Sequence, residues 1–352
     1  MSDRLVPSRR QFFVSCANSL IFSATFIISC ILAGRFLPFP EVPVVRSKLA
    51  HFAAHRDEYD TLFLGSSHFY YQIIPSLFDG VAAENGYPTR SFNAGIAGMR
   101  PPEDGYLLEQ FLSVSPRNLR HVFIELAILR TRVENEGSRR MVYWHDWRRT
   151  QMIWRSAMAK LRKKSLDDGL EATGEWLSEL LTHLLLFLQQ ATNLGRGEII
   201  TARLRGSRFV QNPATDLGAA LDGWIPSNRP ETMQGEMLSR YLRDLAERER
   251  RPARKYEGDR VSQQALSQMI ADIEKAGAVP VLVVPPTTDS KNFRPAPVGS
   301  RAIVLDFCDL ERFPELFKPS HRLDLTHVNT AGAQVFTRLL ARRFVEESAQ
   351  NR

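Results

Sequence analysis

The chain has 352 residues, 43% of them hydrophobic, enough for one large domain or a domain with a substantial insertion, and apolar enough to fill a core. Its formal net charge of +7 would attract anionic partners, yet no zinc-finger spacing, RNA-binding signature or basic zipper accompanies that charge, which argues against nucleic acid. Of the three cysteines, Cys16, Cys30 and Cys308, only the last lies in the body, so neither an internal disulfide framework nor a cysteine metal cluster is expected.

Residues 1–10 are short and positive, with Arg4, Arg9 and Arg10 against Asp3, and read as a cytoplasmic tail. Gln11 to Gly34 carries no charge. As a helix these ~24 residues would span about 36 Å, more than the ~30 Å hydrocarbon core of a bilayer. Phe, Ile, Leu, Val and Ala dominate, although Ser15, Asn18, Ser19 and Ser23 make the first half less apolar. A cleavable signal peptide is the rival reading, but its apolar stretch is usually shorter and no Ala-x-Ala site follows this one. Leu32-Ala33-Gly34 resembles a lipoprotein signal, with Arg35 standing where that signal requires cysteine. The expectation is an uncleaved transmembrane anchor over 11–34. Arg9 and Arg10 favour a cytoplasmic N-terminus and Arg35 weakens that bias. The body then lies outside the cytoplasm, periplasmic in a Gram-negative source.

Residues 35–57 carry Pro38, Pro40 and Pro43, a stiff spacer, with a short helix expected over Ser47–Arg56. Thr61-Leu62-Phe63-Leu64 is an apolar run that breaks at Gly65 and delivers Ser66 and Ser67, the pattern of a buried strand ending in a tight turn. Such a turn holds a hydroxyl at the carboxyl edge of a parallel sheet, where α/β folds place their sites. Ile74–Phe78 begins a helical piece. Arg90–Gly98 is a second strand running into a small-residue loop, Pro102–Ser113 is a helix with proline at its start, and His121–Leu126 is a third strand. Strands alternating with helical stretches imply a parallel α/β sheet.

That rhythm stops near Arg130, and no strand is expected from 131 to 260. Thr150–Lys164 alternates apolar residues with Arg155, Lys160, Arg162, Lys163 and Lys164. Trp176–Gln190, at about 15 residues, is short for crossing a bilayer and suits a buried helix, or one lying against membrane or a partner. In Trp144-His145-Asp146-Trp147 the plainer reading is packing with a hydrogen bond. The stretch as a whole reads as a mostly helical insertion. The α/β pattern returns with a helix over Ser262–Ala276, a buried strand within Gly277–Pro286 and a fifth strand at Ile303–Phe307. Asp324-Leu325-Thr326-His327 follows, and Thr330–Glu347 closes as an amphipathic helix.

A serine hydroxyl is a poor nucleophile until a base takes its proton, and imidazole does this well near neutrality. The imidazole needs a carboxylate to fix its tautomer and steady the cation that forms. Asp324 and His327 offer both groups from one loop, and a serine of the Gly65-Ser66-Ser67 turn is the partner they would serve. Backbone amides at Ser67 and at a glycine such as Gly98 can stabilise an oxyanion.

In order, these blocks resemble the SGNH (GDSL-type) hydrolase superfamily. Gly65-Ser66-Ser67 matches its first block and Asn93-Ala94-Gly95-Ile96-Ala97-Gly98 its second. Asp324 and His327 match its last, with Asn329 and Gly332-Ala333 in a familiar context. The third block departs: Glu125-Leu126-Ala127-Ile128-Leu129-Arg130 replaces Gly-x-Asn-Asp, and Leu129 stands where the oxyanion-donating asparagine is usual.

The resemblance implies a flavodoxin-like three-layer α/β fold with a parallel sheet, formed by 58–130 and 261–352 around the insertion 131–260. It implies Ser67 as nucleophile rather than Ser66, with Asp324 and His327 completing the triad. Oxyanion donors would be Ser67 and Gly98, with Gly95 as the alternative glycine. Neither cofactor nor metal is implied. Gly-Ser-Ser with an N-terminal anchor looks like the DltD-like and alginate-acetylation-type branches, which work beside membrane-bound O-acyltransferases on envelope or exopolysaccharide hydroxyls. The partners implied are the lipid bilayer, such an acyltransferase and a carbohydrate acceptor, with Thr150–Lys164 facing lipid or the membrane partner. Two other readings stay open: an esterase or carbohydrate deacetylase using the same residues, and a catalytically inactive envelope scaffold.

Overall fold

The computed structural model describes residues 9–350 apart from residue 38, the segments 130–137, 164–168, 228–231, 251–253, 289–290 and 294–300, residue 257 and most of 194–212. Most of the expected cytoplasmic tail therefore lies outside the described residues, as do Pro38 and Arg130. The chain forms two compact units, one of Val42–Arg132, Met152–Ser165 and Val210–Arg352, the other of Met1–Glu41, Val133–Gln151 and Leu166–Phe209. The stretch read as a single insertion is divided between them.

Seven strands are described: β1 (Thr61–Leu64), β2 (Ser91–Asn93), β3 (His121–Glu125), β4 (Arg254–Tyr256), β5 (Val279–Val284), β6 (Lys291–Phe293) and β7 (Ile303–Asp306). The helices of the first part are α1 (Arg9–Gly34), α2 (Val45–Ala54), α3 (Ser67–Gln72), α4 (Pro75–Glu84), α5 (Glu103–Ser113), α6 (Arg139–Tyr143), α7 (Trp147–Lys163) and α8 (Gly169–Ala191). Those of the second are α9 (Pro213–Leu217), α10 (Gly235–Arg250), α11 (Arg260–Lys275) and α12 (Thr330–Gln350).

The five strands expected from the sequence form one parallel sheet, ordered β2-β1-β3-β5-β7. Side chains alternate along a strand. Phe63, Phe123, Val281, Val283, Ile303 and Leu305 pack into one cluster with Phe78 of α4 and Phe336, Leu340 and Phe344 of α12. Their neighbours Leu62, Leu64, Val122, Ile124 and Leu282 are buried as well, and α11 packs on both α5 and β5. With both faces covered, the central strands read as largely apolar runs. Only the edge strand differs: Val304 of β7 is 46% exposed.

β4 and β6 form a separate parallel pair, Arg254 beside Lys291 and Tyr256 beside Phe293. β4 lies in the stretch expected to hold no strand. Three residues of Arg-Lys-Tyr carry no apolar run, so the pattern that found the other strands is blind to it.

In the second unit, α1 buries none of its residues and is long and apolar enough to cross a membrane. Asn193 Nδ2 donates to the Cys30 carbonyl near its C-terminal end, at 2.8 Å. Trp144 and His145 are buried, with His145 Nε2 2.9 Å from His183 Nδ1, so that motif is packing with a hydrogen bond. α8 is buried on one face only, between the two readings its composition left open. His183 and Leu186 face inward, while Leu177, Leu181 and Leu185 are 51%, 50% and 65% exposed.

On α7, Ile153, Ser156 and Ala157 are buried, and Ser156 donates to Asp259 Oδ2 at 3.1 Å. One face of this helix is therefore packing rather than a free basic surface. The side chains of Lys160, Arg162, Lys163 and Lys164 lie outside the described residues.

Candidate active site

β1 ends where the sheet order turns back, between β2 and β3, and its register with β3 sets Leu64 beside Ile124. The next residues, Gly65 and Glu125, therefore face each other across the strand ends. A Cβ on Gly65 would lie 2.6 Å from Phe69 Cγ and 2.8 Å from Glu125 Oε2. Glycine leaves room for the Glu125 carboxylate there. Ser66 then caps α3, its Oγ accepting from the His68 amide at 3.3 Å. Ser67 becomes the first residue of that helix.

From the far end of the chain, Asp324 and His327 arrive on the loop before α12. Asp324 Oδ1 accepts from the amides of Thr326 and His327 at 2.9 and 2.8 Å, and Leu323 closes the loop on the His327 carbonyl at 3.0 Å. Fully buried Arg322 donates to the carbonyls of Pro286 and Leu325 at 3.1 and 3.0 Å. Asn329 caps the following helix by accepting from the Gly332 amide at 2.9 Å.

The three residues meet. Ser67 Oγ lies 2.7 Å from His327 Nε2, and His327 Nδ1 lies 2.9 and 3.0 Å from the two Asp324 oxygens. With Nδ1–H donating to the carboxylate, Nε2 is left to accept the serine proton. Burial would raise the Asp324 carboxyl, but the His327 ring and the two loop amides outweigh it and hold Asp324 below the usual carboxylate range.

The second block approaches α3 from β2. Asn93 donates to the carbonyls of Phe69 and Ile73 at 2.7 and 2.8 Å, and its Oδ1 accepts from the Gly95 amide at 2.9 Å. That amide is thus engaged within the loop, which argues against Gly95 as the oxyanion glycine. A Cβ on Gly95 would lie 2.7 Å from the Tyr70 amide nitrogen, so glycine serves close approach there. Gly98 has a φ of 73°, a left-handed conformation that glycine adopts without strain. Among the described residues, the Ser67 and Gly98 amides have no acceptor.

Three residues that shape this site went unassigned in the sequence reading. Lys48 of α2 is fully buried and its Nζ donates to the carbonyls of Asn93, Gly95 and Gly223 at 2.8, 2.7 and 2.7 Å. Burial pulls its amine well below the ordinary lysine value, with Asp222 and Asp216 opposing. Its place on the Val45–Phe52 apolar stripe was the available signal.

The other two are Glu125 and His68. Glu125 Oε2 accepts from the Ser66 amide at 2.6 Å, and Oε1 accepts from Ser66 Oγ at 2.9 Å and from His68 Nδ1 at 2.8 Å. Burial would raise this carboxyl too, but His68 and the Ser66 donors bring it below its ordinary value. The His68 ring stacks on His327, centroids 4.7 Å apart and planes 22° from parallel. A carboxylate closing a buried strand, and a histidine one residue past Ser67, were the overlooked signals.

Leu129 is 4% exposed and lines a small cavity with Ser262, Ala265 and Leu266 of α11, its amide donating to Ser262 Oγ at 3.3 Å. It offers no side-chain donor to the site. A cleft of about 520 Å³ opens beside the triad loop, lined by Glu236, Met237 and Arg240 of α10 and by Asp324, Leu325 and Thr326. Among the described residues, no group of three or more His, Cys, Asp or Glu is arranged to hold a metal ion. Neither a protein-family model nor a curated protein matches this chain.

Proposed function

We propose that this chain is a membrane-anchored serine acyl-transfer enzyme of the SGNH type, with Ser67 as nucleophile. The observation that carries the reading is the unbroken line from Ser67 Oγ through the His327 ring to Asp324. The strand order β2-β1-β3-β5-β7 supports it, because doubly wound flavodoxin-like sheets share this order and bind ligands where it reverses.

In the first half-reaction Ser67 Oγ bonds to the acyl carbonyl carbon of an ester donor while His327 Nε2 takes the hydroxyl proton. The carbonyl oxygen gains negative charge, and the Ser67 and Gly98 amides are its donors. The bond to the leaving alcohol then breaks, and that alcohol takes the proton from His327. In the second half an acceptor hydroxyl gives its proton to His327 and attacks the acyl carbon, and Ser67 leaves with the proton restored. Asp324 stays ionised throughout and steadies the imidazolium.

Transfer to a carbohydrate hydroxyl, with acetyl as the group carried, is the form of this activity we favour. Leu129 supplies no third oxyanion donor, and loss of one such donor commonly slows chemistry about a hundredfold to a thousandfold. Water is then a slow acceptor. A hydroxyl held in the cleft gains from orientation, worth several kcal/mol (about 7 or more at best). Glu236 and Arg240 offer an acceptor and a donor for sugar hydroxyls, and Met237 an apolar face. With its N-terminus inside, α1 would place this site outside the cytoplasm, beside a membrane-bound O-acyltransferase as supplier.

Intact mass after exposure to an activated acetyl ester tests the reading. A single acetyl on wild type and none on Ser67→Ala is the expected result. Decay hastened by envelope polysaccharide, with acetyl appearing on the glycan, supports transfer. Rapid decay in buffer alone makes the chain an esterase, and no acyl adduct at all leaves the scaffold.

A further inference from the structure

Ser67, His327 and Asp324 do not stand alone at the end of β1. Beside them runs a second line of the same chemistry: Ser66, His68 and Glu125. Glu125 takes three donors, two from Ser66 and one from His68, and the two imidazoles lie face to face. We propose that Glu125 and His68 form a second carboxylate–imidazole pair that positions the Ser67–His327 couple. This inference rests on the acyl-transfer reading for its purpose, but its geometry stands apart from it.

Ser66 is held at both its amide and its hydroxyl by one carboxylate, so the turn that aims Ser67 cannot rotate without breaking a charge-assisted bond. Ser66 is thereby engaged twice, which separates it from the nucleophile's role. Since the carboxylate only accepts, His68 must place a proton on Nδ1, and that bond fixes the plane of its ring. A ring so fixed forms a floor for His327, whose own plane is set from the other side by Asp324. His68 Nε2 is buried and has no partner among the described residues. The ring is therefore held by Glu125 on one edge and by the His327 face.

The pair also occupies the strand end where hydrolytic relatives carry their third block. Its carboxylate adds a negative charge next to the imidazole stack, where positive charge develops when Ser67 attacks. Asp324 and Glu125 then flank that stack from opposite ends of the chain. These are positioning residues; neither touches the acyl carbon.

The test uses the full chain in detergent micelles, with Glu125→Gln and His68→Phe as variants. Glutamine keeps the shape of Glu125 without its charge, and phenylalanine keeps a ring face without the bond to Glu125. Two readouts are taken: saturation kinetics of Ser67 labelling by a fluorophosphonate, and nitrogen NMR of isotope-labelled histidine rings, with His327 assigned by His327→Gln. Both variants should label about tenfold to a hundredfold more slowly at saturation, the loss of one charged hydrogen bond, with half-saturation unchanged. His327 ring signals should move in both. Labelling within about twofold of wild type, or slower labelling with unmoved His327 signals, overturns the proposal. Should His68→Phe fail to fold, His68→Gln takes its place. If wild type itself does not label, the acyl-transfer reading fails, while movement or stillness of the His327 signals still decides the positioning role.

Discussion

Gly65 sits so close to Glu125 that a methyl group on it would lie 2.8 Å from a carboxylate oxygen. No side chain can occupy that space while Ser66 keeps its bond to the same oxygen, and Phe69 Cγ, 2.6 Å from the same point, closes it from the following helix.

Gly65→Ala is therefore expected to destabilise the sheet-bearing unit by about 2–3 kcal/mol, the range for an overpacked core. It should also weaken whatever activity Ser67 has. Chemical unfolding of the variant measures the first effect. Wild-type stability in Gly65→Ala would mean that Phe69 and the Glu125 carboxylate both lie farther from Gly65.

The two adjacent serines separate cleanly. Ser67→Ala should remove about four or more orders of magnitude of ester turnover where chemistry limits the rate, and all covalent labelling. Ser66→Ala keeps the nucleophile and loses only a cap and one bond to Glu125. It should retain labelling at a reduced rate and lose about 1 kcal/mol of stability. The reverse pattern would move the nucleophile to Ser66.

Lys48→Met removes three donors and leaves the carbonyls of Asn93, Gly95 and Gly223 buried without them. A loss of about 3–5 kcal/mol, as for breaking a buried charged interaction, is expected, together with a loosened second-block loop. Calorimetry on the folded variant checks the first, and hydrogen exchange across 93–98 the second. Unchanged exchange there would show the loop to be held by Asn93 alone.

In the second unit, burial and the His183 ring pull the His145 pKa down to about 3. A free histidine titrates near about 6.5, so between those values the unfolded chain binds the extra proton. The stability His145 contributes is complete above about pH 6.5 and is lost progressively as pH falls toward about 3. Asp324 and Glu125, held below the usual carboxylate range, enter only below about pH 4. The thermal midpoint should fall less between about pH 7 and about pH 5 in His145→Gln than in wild type. Equal slopes would place the pH sensitivity at another histidine.

A reporter fused after Arg352 should be active outside the cytoplasm, and the mature chain should begin near Met1. A chain beginning after Arg35 would make α1 a removed signal, and a cytoplasmic reporter would reverse the orientation.

What the sequence carried by itself was local. Apolar runs named β1, β3, β5 and β7, because a strand covered on both faces has little polar register to break the run, and β2, Ser-Phe-Asn, was named by the small-residue loop it runs into. The charge-free stretch named α1, and the resemblance carried by Gly-Ser-Ser and Asp-x-x-His singled out Ser67, Asp324 and His327. Tertiary structure decided which strand ends meet. Nothing in Glu125, His68 or Lys48 alone says that β1 pairs with β3 in a register bringing Gly65 to Glu125, or that α2 carries an amine to the second-block carbonyls. The choice between Gly95 and Gly98 also turned on a side chain, Asn93, folding back on its own loop. The short β4–β6 pair, Arg-Lys-Tyr against Lys-Asn-Phe, and the division of 131–260 between two units left no local trace. Hydrophobic periodicity records whether a residue faces a core, and a polar residue that meets its partners across the fold leaves no mark in that pattern.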